Sequence, residues 1–409
     1  MSAIGFIHVS LYARFRFPAA VLAQRRSSLA SQFQTRMIPV SFLSTPGRSD
    51  RHGSAEPRPY GSFELREAFQ LHHGGSLAPV RVAYTVQGPK EGPLVVALGG
   101  ISATCRVADD NVGRGWWGRL FGPNKAIDTS RLRLVSFAFL GGSAGTTGSP
   151  LSPANAGLEA HDRDQDWRQG ACGPSGTKGS PALLKVSTFD QARILAALLD
   201  HLDIAAVDQF IGASYGGMVA LAFASLYPER VRGLTIISAA HRATPMGTAW
   251  RSIQRRIVEI LGEQGLAEEG LALARALAMT TYRTPEEFEQ RFGAPPPEAQ
   301  SDNDFPVWQY LKARGAEYPS HMAPEAFITL SQSIDLHAVE PERILCPMMV
   351  VAVNKDPLAP PALCGELARR AGGRAEIFSL DSIYGHDAFL KEDHFFAQLF
   401  KNIEGGIDS

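Results

Sequence analysis

The sequence lacks the features that mark membrane, metal-binding and nucleic-acid-binding proteins. None of its apolar runs reaches the roughly 18 residues that a spanning helix needs. The formal net charge of -1 gives no strong field to attract nucleic acid or an anionic membrane. Only four cysteines occur in 409 residues, and no two form a Cys-x-x-Cys pair, so neither a zinc site nor a disulfide framework is indicated. We therefore expect no metal, no cofactor and a reducing cytoplasmic location.

Acidic residues are absent from the start of the chain, where no Asp or Glu precedes Asp50 although arginine is frequent. This composition resembles a transit peptide. A disordered tail and a true translation start at Met37 are the competing interpretations. No compact apolar segment with a cleavage site follows, so secretion is not indicated. We assign residues 1–55 to such an N-terminal extension.

The rest of the chain alternates short apolar runs with helical patterns. Leu94–Leu98, Leu234–Ile237 and Met348–Val353 are continuous apolar runs, as expected of strands that are buried on both faces. Residues 188–202 instead carry apolar side chains at helical spacing. Strands that alternate with helices favour an α/β fold with a mostly parallel central sheet.

Residues 243–336 interrupt this alternation, because they contain amphipathic helical stretches and no good strand. The simplest interpretation is a helical lid inserted into an α/β core. An insertion at this point lies over the carboxyl ends of the strands, where open α/β sheets bind ligands. The predicted divisions are a first core part at 56–242, the lid at 243–336 and a second core part at 337–409.

The strongest chemical signal is Gly-Ala-Ser-Tyr-Gly at residues 212–216, which fits the pattern Gly-x-Ser-x-Gly. A strand-like run precedes it and a helical run follows, which is the context of the nucleophile elbow in α/β hydrolases. The turn is so tight that a Cβ atom at either glycine would clash. A purely structural turn is the alternative. We predict that Ser214 is a nucleophile in an α/β-hydrolase fold.

A serine nucleophile needs a base that is oriented by an acid. The order along α/β-hydrolase chains is Ser, then Asp or Glu, then His. Asp356 and His386 each follow a predicted strand in this order, so they are the predicted acid and base. The alternatives are a turn-forming Asp before proline, a helix-capping His, and Asp381 as the acid. Asp381 is too close in sequence to His386 to be a comfortable partner.

The negative charge that develops on the substrate oxygen needs two backbone N–H groups. The residue after the nucleophile, Tyr215, is predicted to supply one of them. The loop after the first buried strand, at Gly100 and Ile101, is predicted to supply the other, although a structural turn there is the alternative. These residues predict a serine-dependent acyl-transfer catalyst and leave both hydrolysis and transfer open.

Four segments resemble the homoserine O-acyltransferase family of the α/β-hydrolase superfamily. They are Gly-Trp-Trp with the following Gly-Pro-Asn-Lys-Ala-Ile-Asp-Thr, Gly-Gly-Ser-Ala-Gly-Thr-Thr-Gly at 141–148, Gly-Gly-Met after the nucleophile, and Gly-His-Asp-Ala-Phe-Leu at 385–390. The chain departs from the family in the elbow, which reads Ala-Ser-Tyr, and in Gly-Gly-Ile-Ser-Ala at 99–103. These departures bear on the acyl donor and the acceptor more than on the reaction type.

The resemblance implies ping-pong transfer from an acyl-CoA to the hydroxyl of L-homoserine, in methionine biosynthesis, by a homodimer. It also implies that Arg275 binds the carboxylate of the amino acid and that Asp387 binds its ammonium group. A solvated helix arginine and a helix cap are the alternatives for these two residues. Small-molecule substrates are thus the expected partners, with neither nucleic acid nor membrane.

The identity of the acyl group depends on a cation. A succinyl donor has a second carboxylate, and Arg251 in the lid is the favoured contact, with Arg242 and Lys312 as alternatives. This favours succinyl over acetyl. A serine O-acyltransferase of cysteine biosynthesis remains an alternative, as does a carboxylesterase or thioesterase that uses water as acceptor.

Overall fold

A computed structural model describes residues 60–148, 185–293 and 305–407, with side chains through Lys401. The predicted extension, residues 1–55, lies outside the described residues. All described elements lie within the compact unit Gly53–Lys401, apart from the end of the last helix. The strands in chain order are β1 (Tyr60–Leu65), β2 (Phe69–Gln70), β3 (Ser76–Leu77), β4 (Val80–Gln87), β5 (Leu94–Leu98), β6 (Phe121–Gly122), β7 (Ile127–Asp128), β8 (Arg133–Phe137), β9 (Gln209–Ala213), β10 (Leu234–Ile237), β11 (Met348–Val353) and β12 (Ala375–Leu380).

The centre of the fold is an eight-stranded sheet in the order β1-β4-β8-β5-β9-β10-β11-β12. The pairs β1–β4 and β4–β8 are antiparallel, and the remaining pairs, from β8 to β12, are parallel. Every residue of β5, β10 and β11 is buried, which explains why these strands are continuous apolar runs rather than alternating ones. The predicted mostly parallel sheet is therefore present.

Helices cover this sheet and connect its parallel strands. The first of them has a capping box, because Ser187 Oγ accepts from the Asp190 N–H and Asp190 accepts from the Ser187 N–H. The helices in chain order are α1 (Thr188–His201), α2 (Tyr215–Leu226), α3 (Pro245–Gly262), α4 (Ala267–Tyr282), α5 (Pro285–Phe292), α6 (Pro306–Ala316), α7 (Pro324–Asp335), α8 (Pro361–Arg370) and α9 (Asp393–Ile407).

The segment between β10 and β11 contains α3 to α7 and, within the described residues, no strand of the sheet. The chain enters and leaves this segment at adjacent points, because Arg242 and Ala338 form an isolated antiparallel bridge. Val339 N–H also donates to His241 O at 2.8 Å. The helical segment is thus attached through two neighbouring backbone connections, as an insertion requires. No helix in the described part of the chain is long and apolar enough to cross a membrane.

Candidate active site

Ser214 lies at the sharp turn between β9 and α2. Its backbone angles, φ 53° and ψ −121°, are strained for a residue with a side chain. The flanking glycines explain how the turn forms. A Cβ atom on Gly212 would lie 2.5 Å from Gly216 O, and one on Gly216 would lie 2.2 Å from Leu98 O. The local sequence therefore imposes a turn that presents the Ser214 hydroxyl at the carboxyl edge of the sheet.

The structure brings together the three side chains that were predicted to form a triad. His386 Nε2 lies 2.8 Å from Ser214 Oγ, and His386 Nδ1 lies 2.7 Å from Asp356 Oδ2. Because a carboxylate only accepts hydrogen bonds, Nδ1 donates to Asp356 and Nε2 remains an acceptor for the serine hydroxyl. Ser214, Asp356 and His386 follow β9, β11 and β12 respectively. They meet because the carboxyl ends of parallel strands share one edge.

Asp356 is held firmly and is the residue that orients the imidazole. Its side chain is almost fully buried, with 3% of the residue exposed. Its second oxygen accepts from the N–H groups of Leu358 at 2.8 Å and Ala359 at 3.1 Å. The rival acid, Asp381, is exposed and accepts from Asn354 instead. Backbone donors thus fix the carboxylate that faces His386.

The charges around His386 favour its protonated form. Burial alone would lower the pKa of His386, but the charge and hydrogen bond of Asp356, with the charge of Asp387, outweigh burial and raise it above its ordinary value. Arg251 acts in the opposite sense and lowers the pKa of this group. An imidazole with a raised pKa is a stronger base for a hydroxyl proton.

The residues predicted to stabilise an oxyanion line the same cavity as the nucleophile. Tyr215 is the first residue of α2, so its N–H has no acceptor within the helix. Gly100 and Ile101 line the same cavity as Ser214 and Tyr215. The phenol of Tyr215 is buried, and its hydroxyl lies 2.7 Å from Ser333 Oγ on α7. Tyr215, at which this elbow departs from the family pattern, therefore connects the elbow to the helical insertion.

Two cavities meet at this site. The first, of about 220 Å³, is lined by Ser214 and His386 together with Arg251 and Gln254 of α3. The second, of about 610 Å³, lies beside it and is lined by residues of α4, α5 and α6 and of the loops that follow α6 and β12. Arg275, Asp387 and Leu390 line both. Ser214 and His386 therefore border the smaller cavity, and Asp356 lies buried behind them.

Arg275 lies between two aromatic rings at the boundary of the cavities. Its guanidinium carbon is 5.1 Å from the ring centroid of Tyr282 and 4.7 Å from that of Tyr318. In the part of the chain that the structure describes, no carboxylate lies within ion-pair distance of Arg275. A partly buried guanidinium without a carboxylate is suited to bind one from a ligand.

Asp387 also faces both cavities, but it already has a cationic neighbour. Arg283 Nε lies 3.1 Å from Asp387 Oδ2, and the side chains of both residues are largely buried. Arg283 further contacts Glu287 at 3.3 Å. A carboxylate has two oxygens and several lone pairs, so Asp387 retains room for a second positive group.

Arg251, on α3, lines the cavity that contains Ser214. Two arginines share one carboxylate there: Arg251 Nη2 lies 2.6 Å from Asp335 Oδ1, and Arg255 Nη1 lies 2.7 Å from Asp335 Oδ2. All three side chains are at most 15% exposed. The cluster therefore carries an uncompensated positive charge. Arg242 and Lys312 do not line this cavity.

Several other side chains of the site carry no local signal by which they could have been selected. The Tyr282 ring stacks on His386 with centroids 5.9 Å apart, and Tyr318 OH lies 2.7 Å from Ser102 Oγ, 216 residues away. Ser238 and Trp116 also line the cavity of Ser214. Neither the Ser238 hydroxyl nor the Trp116 indole N–H has a hydrogen-bond partner among the described residues. Only the tertiary structure brings these groups together.

The Gly-Trp-Trp segment at residues 115–117 contacts the loop that bears His386. Trp117 Nε1 donates to Phe389 O at 2.8 Å, three residues after His386. The indole also packs against Phe121 and Phe400. This contact explains how a segment that is distant in sequence helps to fix the loop that bears His386. Among the described residues, no group of three or more His, Cys, Asp or Glu side chains has metal-binding geometry.

Comparisons with known proteins identify the family that the chain resembles. A family model described as the α/β hydrolase fold matches residues 166–393. A homoserine O-succinyltransferase of Xanthomonas campestris is 36% identical over 93% of this chain and 92% of its own length. A homoserine O-acetyltransferase of Thermus thermophilus is 32% identical, and the match covers 82% of this chain and 89% of the relative. A serine O-succinyltransferase of Litchfieldella anticariensis is 30% identical, and the match covers 82% of this chain and 96% of the relative.

Solved structures confirm the fold. The homoserine O-acetyltransferase of Bacillus anthracis superposes with a TM-score of 0.68 at 17% identity, covering 84% of this chain and 96% of that one. Esterase E22 gives the same TM-score at 20% identity, covering 84% and 98%. Transferases and esterases therefore share this architecture, and the fold alone does not distinguish between them.

Proposed function

Since the chain belongs to the homoserine O-acyltransferase family of the α/β hydrolases, we propose that it transfers an acyl group from a CoA thioester to the hydroxyl of L-homoserine. The observation that carries the proposal is that Arg275, a guanidinium without a carboxylate, and Asp387 both line the cavity of Ser214. An esterase whose acceptor is water has no need of this arrangement. A zwitterionic amino acid needs a cation for its carboxylate and an anion for its ammonium group.

In the first half-reaction, Ser214 is the nucleophile and His386 is the general base. The serine hydroxyl gives its proton to His386 Nε2 while Oγ attacks the thioester carbonyl. The oxyanion is stabilised by the N–H groups of Tyr215 and of Ile101 or Gly100. When this intermediate collapses, the carbon–sulfur bond breaks and the thiolate takes the proton from His386. An acyl-serine remains.

The second half-reaction uses the same groups in the reverse order. The hydroxyl of L-homoserine gives its proton to His386 and attacks the acyl carbonyl of the ester. The bond to Ser214 Oγ then breaks, and Ser214 recovers the proton. Arg275 and Asp387 orient the amino acid, while Asp356 holds the imidazole and stabilises its cationic form.

The charge near Ser214 favours succinyl as the acyl group. The pair Arg251 and Arg255 carries one more positive charge than Asp335 neutralises. Arg251 also lines the cavity that receives the acyl chain. A terminal carboxylate on that chain would meet a guanidinium fork, which is the geometry that such a group prefers. An acetyl group would leave this charge unused.

Release of free thiol from acyl-CoA tests the proposal. The assay combines succinyl-CoA or acetyl-CoA with L-homoserine, L-serine or no amino acid, and Ser214→Ala is the matched control. We expect rapid release with succinyl-CoA and L-homoserine together, and none from the control. Faster release with L-serine would identify a serine O-acyltransferase. Release that is independent of any amino acid would identify a thioesterase and contradict transfer.

From the family resemblance we also propose that the protein is a homodimer formed through the helical insertion. Met246, Ile253 and Ile260 are exposed on α3 at seven-residue spacing and so form one apolar stripe. Sedimentation velocity checks this, with Ile253→Asp expected to shift the protein to monomer. A dimer unaffected by that change would contradict this interface.

We further propose that the enzyme is located in the cytoplasm, where the buried thiols of Cys346 and Cys364 remain reduced.

A further inference from the structure

Apart from Arg275 and Asp387, the residues that line the larger cavity, of about 610 Å³, have no role in the mechanism described above. It opens beside the cavity of Ser214, and the two meet at Arg275, Asp387 and Leu390. The smaller cavity, at about 220 Å³, is below the roughly 300–1,000 Å³ of pockets that hold whole drug-sized ligands. It suits an acyl group and a thioester. The nucleotide end of a CoA donor must therefore lie elsewhere.

Positive side chains predominate in the larger cavity. Its lining contains five arginine or lysine residues and three carboxylates. Each carboxylate has an arginine beside it: Arg314 pairs with Glu317 at 3.0 Å, Arg291 with Glu287 at 3.3 Å, and Arg283 with Asp387. Lys391, by contrast, has no carboxylate within ion-pair distance in the described ranges. A net positive charge is therefore available to an anionic ligand.

We propose that this outer cavity binds the diphosphate and 3′-phosphate of the acyl-CoA donor. The pantetheine arm then passes between Arg275 and Asp387 and carries the thioester to Ser214. The inference rests on the proposed function and adds the location of the donor's anionic end. Ping-pong chemistry makes a shared passage workable, because the thiol product leaves before the amino acid occupies Arg275 and Asp387.

Arg314 and Glu317 allow a test that separates charge from structure. Arg314→Gln and Glu317→Gln break the same ion pair, but they change the charge of the cavity in opposite directions. We expect the KM for acyl-CoA to rise roughly three- to fivefold in Arg314→Gln and to fall by a similar factor in Glu317→Gln at low ionic strength. Arg256→Gln, on the exposed side of α3, is the matched control.

A donor without phosphates provides the second arm of the experiment. The same acyl group on pantetheine keeps the thioester but removes every phosphate. We add the variant Lys391→Gln, which should also raise the KM for acyl-CoA. In all three variants, Arg314→Gln, Glu317→Gln and Lys391→Gln, the KM for acyl-pantetheine and the KM for L-homoserine should be unchanged. Changes of the same sign in both ion-pair variants, or equal changes for the two donors, would overturn the inference.

Failure of this inference and failure of the proposed function give different results. Transfer from acyl-pantetheine to L-homoserine by the unmodified protein would support the function whatever the outer cavity does. If that transfer occurs and acyl-CoA shows no dependence on the charges at residues 314, 317 and 391, only the assignment of the cavity is wrong. If neither donor supports transfer to any amino acid, the proposed function is wrong as well.

Discussion

Replacement of Arg251 by glutamine should change the choice of acyl donor without preventing catalysis. The change removes the positive charge that Arg251 and Arg255 carry in excess of Asp335. Asp335 keeps its bonds to Arg255 and to Thr248 Oγ1, at 2.7 Å and 2.9 Å, so the substitution leaves no unpaired buried carboxylate. The variant is therefore expected to fold.

The size of the effect follows from the contact that is lost. A hydrogen bond to a charged group contributes about 1.5–3 kcal/mol, which corresponds to about 10- to 150-fold in kcat/KM for succinyl-CoA. Acetyl-CoA has no terminal carboxylate, so its kcat/KM should change little. Arg251 also lowers the pKa of His386. Its removal should therefore raise that pKa and move the acid limb of the pH profile to higher pH for both donors.

The assay measures kcat/KM for the two donors on the pH plateau, where His386 is neutral in both proteins, and Arg256→Gln on the same helix serves as control. Asp335→Asn is the complementary variant, since it keeps both arginines and increases the positive charge. It should preserve or improve the use of succinyl-CoA. An equal loss for both donors in Arg251→Gln, or a loss for succinyl-CoA in Asp335→Asn, would show that the cluster acts through packing and not through its charge.

Three further variants test other parts of the site. Ser214→Ala should keep its circular dichroism spectrum and lose acyl transfer by on the order of 10⁴-fold or more; normal turnover would exclude this serine as the nucleophile. Gly216→Ala should cost about 3 kcal/mol or more of unfolding free energy in a urea titration, because its Cβ atom would lie 2.2 Å from Leu98 O. Gly262→Ala is the control, because its Cβ atom would meet only Ala267, at 3.6 Å. Equal unfolding free energies for the two variants would refute the argument. Asp387→Asn should raise the KM for the amino acid about tenfold or more, and it should lower the pKa of His386, so that activity persists to lower pH; an unmoved acid limb would contradict this electrostatic account.

The positions of the main strands could be predicted because their sequence signal is local. Leu94–Leu98, Leu234–Ile237 and Met348–Val353 have the bounds that their apolar runs indicate. The ends of helices were less predictable. The helix after Ser214 begins at Tyr215, earlier than its apolar run suggests, because the elbow passes directly into the helix. Terminal residues are defined by backbone hydrogen bonds and not by hydropathy.

The catalytic residues could be predicted from sequence, but the charged partners around them could not. The order of Ser214, Asp356 and His386, each after a strand, identified the side chains that the structure joins at 2.7 Å and 2.8 Å. The sequence could not indicate that Asp387 has Arg283 beside it, or that Arg251 shares Asp335 with Arg255. These pairs change the charge that a substrate meets.

The elbow and the sheet edge on which the site is built follow from local sequence signals alone. Glycine spacing sets the backbone of a tight turn, and parallel strands bring their carboxyl ends to one edge wherever the chain returns to them. How the helical insertion completes the site depends instead on tertiary packing. Tyr318 reaches Ser102 across 216 residues, and Asp335 reaches Arg251 across 84. Such contacts depend on how helices dock against the core, because side-chain packing between distant segments leaves no periodic signal in the chain.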